Sequence, residues 1–188
     1  MTNKFDYYVV DADGKLVTEI SGTHEFVYAN IQSGQFAILE NKPTTLSYWD
    51  FVLSNWVALP PKPADNYIFN YVTKQWVDPR TIDVIKSQKW TEIKSKRDDF
   101  EFGIFEFEGN IYDSDQVSQA RIMGAVMAQV DQVWTLANNT TVDLTASQLM
   151  QLYQALQVHI ASAHERGRIA REAIQAATTK EQIEAIVF

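Results

Sequence analysis

The side chains best suited to chemistry are carboxylates gathered in the middle of the chain. Two carboxylates facing one substrate are the usual machinery of glycoside hydrolysis, one as the acid and the other as nucleophile or base. Glu106 and Glu108, however, share the polar face of a predicted strand, and Asp113 and Asp115 precede a predicted helix whose N-terminus favours negative charge. We therefore expect solvated carboxylates and no enzyme. The group is Asp98, Asp99, Glu101, Glu106, Glu108, Asp113 and Asp115.

Histidine spacing argues against a metal site. His159 and His164 lie five positions apart on a predicted helix, about 140° around its axis. They therefore cannot form the i, i+4 pair that shares one metal-facing stripe, and His159 is expected to be packed or hydrogen-bonded. The chain has no cysteine, no glycine-rich phosphate loop and no G-x-S-x-G motif. We expect no metal, no cofactor and no catalytic residue.

The charge balance restricts the possible partners. The 188 residues include 16 Lys or Arg and 24 Asp or Glu, which gives a formal net charge of −8. Nucleic-acid binding needs clustered basic residues, and a membrane span needs about 18 consecutive apolar ones. The sequence has neither pattern, and its first residues lack the apolar core of a signal peptide. We expect synthesis in the cytoplasm and neither nucleic acid nor membrane as a partner.

Residues 1–45 are predicted to form an N-terminal β-hairpin module. Asp11-Ala-Asp-Gly14 separates two β-rich runs within residues 5–20, and Asp-Gly is a strong hairpin signal. The acidic turn lacks the later ligands and the closing glutamate of a calcium loop. A short strand is predicted at 36–39, before Pro43.

An aromatic repeat with a period of 20 fills residues 46–80. Its copies read Trp49-Asp-Phe-Val52…Trp56-Val57 and Phe69-Asn-Tyr-Val72…Trp76-Val77, with turns predicted at 53–55 and 73–75 and a Pro60-Pro-Lys-Pro63 linker between them. Two hairpins this small cannot bury much by themselves. They are therefore expected to pack on something, either the rest of this chain or a partner. In the second case the aromatic residues would form an exposed protein-interaction surface, because Trp and Tyr dominate interface energetics. Its candidate residues are Trp49, Phe51, Trp56, Phe69, Tyr71 and Trp76.

Residues 81–188 are predicted to form a helical domain with two short hairpins. One helix begins at Asp78-Pro79 and runs to about Phe100, since Asp caps helices and Pro suits the first turn. A hairpin with a Gly109-Asn110 turn follows. A second helix, capped by Asp113–Asp115, extends to about residue 131.

Another hairpin, over 133–136 and 141–144, precedes the longest predicted helix. Thr145 opens this helix in a capping box, and Thr178 opens a last short helix in the same way. The predicted fold class is therefore α+β: small N-terminal β-hairpin modules, then a helical C-terminal domain with two short hairpins and a long heptad-patterned helix.

A coiled-coil-like stripe follows the longest helix, because the gaps between its apolar or small residues alternate four and three without a break. Its small residues permit close approach of another backbone. The partner is either the 115–131 helix, through Ala120, Gly124 and Ala128, or the same helix in a second subunit. The stripe comprises Leu149, Tyr153, Leu156, Ile160, Ala163, Gly167, Ala170 and Ile174.

Four short sequence blocks follow one another in this C-terminal region, and together they carry a resemblance. They are Trp90-Thr-Glu-Ile-Lys-Ser-Lys-Arg-Asp98, Tyr112-Asp-Ser-Asp115, Ser118-Gln-Ala-Arg-Ile-Met-Gly-Ala125 and Trp134-Thr-Leu-Ala-Asn-Asn-Thr140. Over about residues 82–188 the chain thereby resembles an uncharacterised C-terminal domain of bacteriophage tail proteins and of neighbours of tail-fibre genes. Upstream, Pro60-Pro-Lys-Pro63…Tyr67-Ile-Phe-Asn-Tyr-Val-Thr-Lys-Gln-Trp-Val-Asp-Pro-Arg80 is similar to segments of tail-fibre assembly proteins.

The resemblance implies a protein of the virion tail, made in the host bacterial cytoplasm, and brings no catalytic residues with it. One reading is a structural component at the baseplate or at a fibre attachment or tip. Its partners would be tail-fibre or baseplate proteins, with a homo-oligomer possible. The alternative is an assembly chaperone that binds the fibre and promotes its trimerisation.

Overall fold

The computed structural model describes residues 4–188 and confirms the α+β class. The chain divides into two compact units, one ending at Pro79 and the other running from Arg80 to Phe188. Helices and short antiparallel hairpins make up both units. Among the helices of residues 4–188, none has the length and apolar character that a bilayer span requires.

A three-stranded antiparallel sheet begins the N-terminal unit, with strand order β2-β1-β3. The acidic turn between its first two strands is held by Asp11, whose carboxylate accepts the backbone N–H of Asp13 and of Lys15, each at 3.0 Å. Gly14 supplies the left-handed φ of 75° that this turn needs. The predicted hairpin is therefore confirmed. The elements are β1 (Phe5–Asp11), β2 (Leu16–Gly22), α1 (His24–Asn30) and β3 (Gln35–Ile38).

The aromatic repeat forms two separate two-stranded hairpins, as predicted: β4 (Ser47–Asp50) with β5 (Asn55–Ala58), and β6 (Ile68–Asn70) with β7 (Gln75–Val77). The turn positions predicted at 53–55 and 73–75 are wrong, because the turns occupy 51–54 and 71–74. In each copy the residue before the turn caps it with its side chain. The Oδ1 of Asp50 accepts two turn N–H groups, and the Oδ1 of Asn70 does the same in the second copy.

The C-terminal unit combines four helices with two hairpins. Its longest helix begins as predicted, with Thr145 and Gln148 forming a reciprocal capping box. The elements are α2 (Ile82–Glu101), β8 (Ile104–Phe107), β9 (Asn110–Asp113), α3 (Gln116–Ala128), β10 (Gln132–Thr135), β11 (Thr141–Leu144), α4 (Ala146–Ala176) and α5 (Lys180–Glu184).

Two predicted helix starts are wrong by a few residues. Thr81, not Asp78, caps α2, and its hydroxyl accepts the N–H of Val84 at 3.3 Å. Thr179, not Thr178, caps α5, because the amide of Gln182 completes its capping box. In both places more than one candidate cap lies within a few residues of the helix start, and the one whose side chain reaches the third helical N–H sets the boundary.

Two predicted ends in the C-terminal unit also shift. The β8–β9 turn is Glu108-Gly109 rather than Gly109-Asn110, with φ of 49° and 75°. The two central residues of this type of two-residue hairpin turn both need positive φ. The residue that follows them lies outside the turn and begins β9. Helix α3 stops at Ala128 instead of about residue 131, because Gln129 takes the left-handed conformation at φ 55°.

Candidate interaction surfaces

The first repeat copy buries its aromatic pair. Trp49 and Trp56 are only 5% and 7% exposed, and their rings meet edge to face with centroids 5.5 Å apart. They pack with Val10 and Ile38 of the three-stranded sheet. Of the two alternatives for this hairpin, packing on the rest of the chain is confirmed, because the sheet completes the burial that a hairpin cannot achieve alone. The expectation that these two tryptophans are exposed is wrong.

The second copy repeats this geometry with less burial. Phe69 and Trp76 meet with centroids 5.3 Å apart, at the same interplanar angle of 73° as the first pair. Tyr71 adds an edge contact to Phe69 at 5.0 Å. All three rings are half-buried. Burial, and secondarily the Asp11 carboxylate, raises the pKa of the Tyr71 hydroxyl above its ordinary value.

The repeat extends further upstream than the sequence analysis recognised. The indole N–H of Trp56 donates to the carbonyl of Glu40 at 3.0 Å, and that of Trp76 donates to the carbonyl of Pro60 at 2.9 Å. Each acceptor lies 16 residues before its tryptophan. Matching residues at the same period would have shown this longer unit: Leu39 with Leu59, Lys42 with Lys62, and Pro43 with Pro63.

The two copies contact each other through residues that the sequence analysis did not single out. The ring of Tyr48 stacks on that of Phe69 with centroids 6.0 Å apart, and Tyr48 is 9% exposed. Lys74 places its Nζ 4.2 Å from the centre of the Tyr48 ring and donates to the carbonyl of Asp13 at 2.5 Å. Copy two therefore covers one face of copy one.

Apolar side chains at the two turns remain exposed. Val52 and Val72 occupy the same repeat position and are 93% and 70% exposed, and Leu53 is 66% exposed. Phe51 is exposed at its edge but rests on Phe36, with centroids 4.8 Å apart. Clustered exposed apolar groups mark interaction sites in soluble proteins. The turns, rather than the tryptophans, are therefore the exposed apolar part of the repeat nearest to the predicted interaction surface.

The stripe on α4 packs within the chain. Leu149 and Leu156, together with the neighbouring Leu152, join Ile122 and Ala125 of α3 in the largest core cluster. Further along, Ala170 and Ile174 pack with Ile93 of α2. Ala163 and Gly167 are also buried, while Tyr153 and Ile160 flank the stripe half-buried.

The predicted use of small residues on α3 is wrong. Ala120, Gly124 and Ala128 are exposed, because α3 turns its Ile122 and Ala125 face toward α4. The small end of the α4 stripe instead meets α2. A Cβ on Gly167 would lie 3.3 Å from the Cδ of Arg97, so the missing side chain makes room for an arginine stem.

The carboxylate group divides into structural and exposed members. Glu101, expected to be solvated, is 9% exposed, and its Oε2 lies 3.3 Å from the Nε2 of His164. Asp115 caps α3 as predicted, and a hydrogen bond from the Ser118 hydroxyl holds the pKa of this carboxyl below its ordinary value. His159 is packed and hydrogen-bonded as predicted, since its Nε2 lies 2.8 Å from the carbonyl of Phe100 and its ring stacks on that residue.

One open cleft, of about 460 Å³, lies beside the start of α3. Asp113, Arg121, Trp134 and Asn139 contribute to its wall. It is polar and wide at the mouth, whereas small-molecule sites enclose most of their ligand in apolar surroundings. Within residues 4–188, no three His, Asp or Glu side chains are grouped so as to hold a metal ion.

Residues 84–187 match a protein family described as a domain of unknown function, DUF4376. The match covers more than half of the 188 residues and lies within the C-terminal unit. No curated protein and no solved structure matches the chain. The description of the family assigns no activity.

Proposed function

The chain belongs to the DUF4376 family, and we propose that it is a structural component of a bacteriophage tail. It attaches at the baseplate or at a tail fibre through protein–protein contacts made by its N-terminal unit. The resemblance of the C-terminal blocks to a domain of tail proteins supports the tail context. The exposed turns of the repeat support attachment as the mode of action.

The observation that carries the proposal is the equivalence of the two exposed turns. Val52 and Val72, 20 positions apart, both present an apolar side chain to solvent at the tip of a hairpin. The aromatic rings packed behind each turn hold its hairpin in one conformation, so binding costs little conformational entropy. Two preformed apolar tips in one unit suit a partner that offers two matching sites.

The C-terminal unit suits a role as a self-contained body. Its stripe of small and apolar residues is occupied by α2 and α3, so self-association through that stripe would require the core to open. If the protein forms homo-oligomers, the contacts use another surface. The tail-fibre or baseplate partner is thus expected at the N-terminal unit.

An assembly chaperone is the second candidate, because residues 60–63 and 67–80 are similar to segments of tail-fibre assembly proteins. Both candidates bind a fibre or baseplate protein, and they differ in whether the protein remains in the particle. A chaperone acts during trimerisation of the fibre and need not be counted among the structural proteins of the virion.

The deciding measurement is the copy number of the protein in purified phage particles, by quantitative mass spectrometry against the major tail proteins. A structural component is expected at a fixed count, in a multiple of three or six set by tail symmetry. Absence from particles whose infectivity still requires the gene would identify the chaperone. Infectious particles formed normally without the gene would contradict both.

A further inference from the structure

Each hairpin of the repeat has two different faces, and the second copy stacks on one face of the first. Successive residues of a strand point to opposite sides, so Trp49 and Tyr48 lie on opposite faces of the first hairpin. The Trp49 face packs against Val10 and Ile38 of the sheet. The Tyr48 face is covered by Phe69, from the aromatic-pair face of the second hairpin.

The second hairpin repeats this construction but leaves one face open. Ile68 precedes Phe69 as Tyr48 precedes Trp49, and Ile68 pairs with Val77 as Tyr48 pairs with Val57. Tyr48 is 9% exposed, whereas Ile68 is 55% exposed. The face defined by Ile68 and the half-buried Val77, here called the Ile68 face, is therefore uncovered at Ile68, where the equivalent surface of the first copy is covered at Tyr48.

We propose that the Ile68 face docks a third aromatic hairpin of the same repeat type, supplied by another protein. The first copy shows what such a face accepts: a phenylalanine ring of a hairpin lying on it, as Phe69 lies on Tyr48. A hairpin docked on the Ile68 face would repeat, on the second copy, the contact that the second copy makes with the first. Stacked repeats bury their apolar faces only against neighbours, so a terminal face is completed by a cap or by a further repeat.

A second copy of this chain is not the occupant. The hairpin that docks has to offer an aromatic-pair face, and both such faces of this chain are already used. Trp49 with Trp56 lies against the sheet, and Phe69 covers Tyr48. The partner is instead another protein that carries the same repeat pattern. That pattern is an aromatic residue, Asp or Asn, a second aromatic residue and Val, then three further residues and Trp-Val. The inference rests on the proposed function only in expecting this partner among tail proteins.

The test uses the full chain and a backbone-cyclised peptide of residues 59–77, in which the Phe69 and Trp76 rings are free to dock. Cyclisation removes part of the ordering cost that makes an isolated hairpin marginal. Methyl NMR of the full chain should show saturable shifts at Ile68 and Val77 on titration. A peptide with Phe69→Ala and Trp76→Ala should bind at least tenfold more weakly.

The matched chain variants are Ile68→Asp and Ile104→Asp, which change isoleucines of similar exposure, 55% and 57%, on short hairpin strands of the two units. Ile68→Asp should weaken binding at least tenfold, and Ile104→Asp should bind as the unchanged protein does. Equal binding by both variants, no shift at Ile68, or shifts at the methyls of Val57, the strand partner of Tyr48, from displacement of the second hairpin would overturn the inference. None of these outcomes alters the particle copy number, so failure here is distinct from failure of the tail assignment. If Ile68→Asp loses the native spectrum, Ile68→Ser takes its place.

Discussion

The two indoles of the repeat make the same hydrogen bond in different surroundings. Each N–H reaches a carbonyl 16 residues earlier and so ties the approaching segment to its hairpin. Trp56 does this inside the core at 7% exposure, while Trp76 is half-buried with the amino group of Lys62 5.8 Å from its ring centre. Burial, rather than the hydrogen bond, should decide how much each tryptophan stabilises the unit.

Trp56→Ala should therefore destabilise the N-terminal unit more than Trp76→Ala. Removing a buried tryptophan costs about 3–5 kcal/mol through lost transfer energy and the cavity left behind. A half-buried ring should cost under about 2 kcal/mol, in proportion to the area it removes from water. Hydrogen exchange of the backbone amides in this unit measures both free energies, and equal losses would contradict the difference in burial.

A titration argument applies to Asp115 at the start of α3. Hydrogen bonds from the Ser118 hydroxyl and the Ser118 and Val117 amides lower its pKa in the folded state. A depressed carboxyl pKa stabilises the fold above the unfolded value of about 4, and this contribution disappears as the pH falls through the lower folded pKa. Asp115→Asn keeps the cap acceptor but cannot ionise.

We therefore expect the unchanged protein to lose stability more steeply than Asp115→Asn as the pH falls below about 4. Urea unfolding of the C-terminal unit across this range compares the two slopes. Ser118→Ala should raise the pKa of Asp115 toward its ordinary value and so reduce the acid-dependent part, because that hydroxyl is the largest cause of the shift. If the free energy of unfolding falls with pH at the same slope in all three proteins, Asp115 does not contribute to the loss of stability in acid.

At the scale of elements, most hairpins and helices could be predicted, because alternation, turn residues and capping residues act locally. Helix α1 was missed, since seven residues capped by Thr23 leave little periodic pattern. The boundaries shifted where two or more residues compete to cap the same end, as at Thr178 and Thr179. The face that each hairpin buries was not predictable, because it depends on a sheet formed by residues far away in sequence.

The same limit applies to the long helix. The stripe on α4 was correctly located, and α3 does pack against it, but through Ile122 and Ala125 rather than through the predicted small residues. A heptad pattern gives the contacting face of one helix and not the face that its neighbour presents. Glu101 shows the related limit for polar groups. Glu101 lies on a helix rich in charged residues, which predicts a solvated side chain, but α4 places His164 beside it.

The contrast between the two sides of α4 gives a prediction at this scale. Leu156 is 1% exposed within the core cluster shared with α3, and Val158, two residues on, is 70% exposed. Leu156→Ala should cost about 2–5 kcal/mol, whereas Val158→Ala should change the free energy of unfolding by no more than about 0.5 kcal/mol. Guanidinium unfolding followed by far-UV circular dichroism makes the comparison. A large loss for Val158→Ala would mean that this outer face is covered in solution.

At the scale of the whole molecule, the proposed function places attachment in the N-terminal unit and leaves the C-terminal unit as a body with its own core. The C-terminal unit uses its apolar stripe for its own core, as Leu149, Leu152 and Leu156 show. The N-terminal unit builds its core from the sheet and Trp49 with Trp56, and it keeps apolar groups exposed at its turns and on the Ile68 face. This division fits a body that is held in place by a smaller binding module.

The division predicts separate unfolding. Each unit has a core of its own, so a fragment of residues 80–188 should fold and unfold cooperatively, and its melting temperature should match one transition of the full chain. Trp56→Ala in the full chain should lower the other transition alone, because its ring packs only within the N-terminal core cluster. Differential scanning calorimetry of the three proteins measures this. A fragment that fails to fold, or a substitution that shifts both transitions together, would show that the two cores form a single cooperative unit.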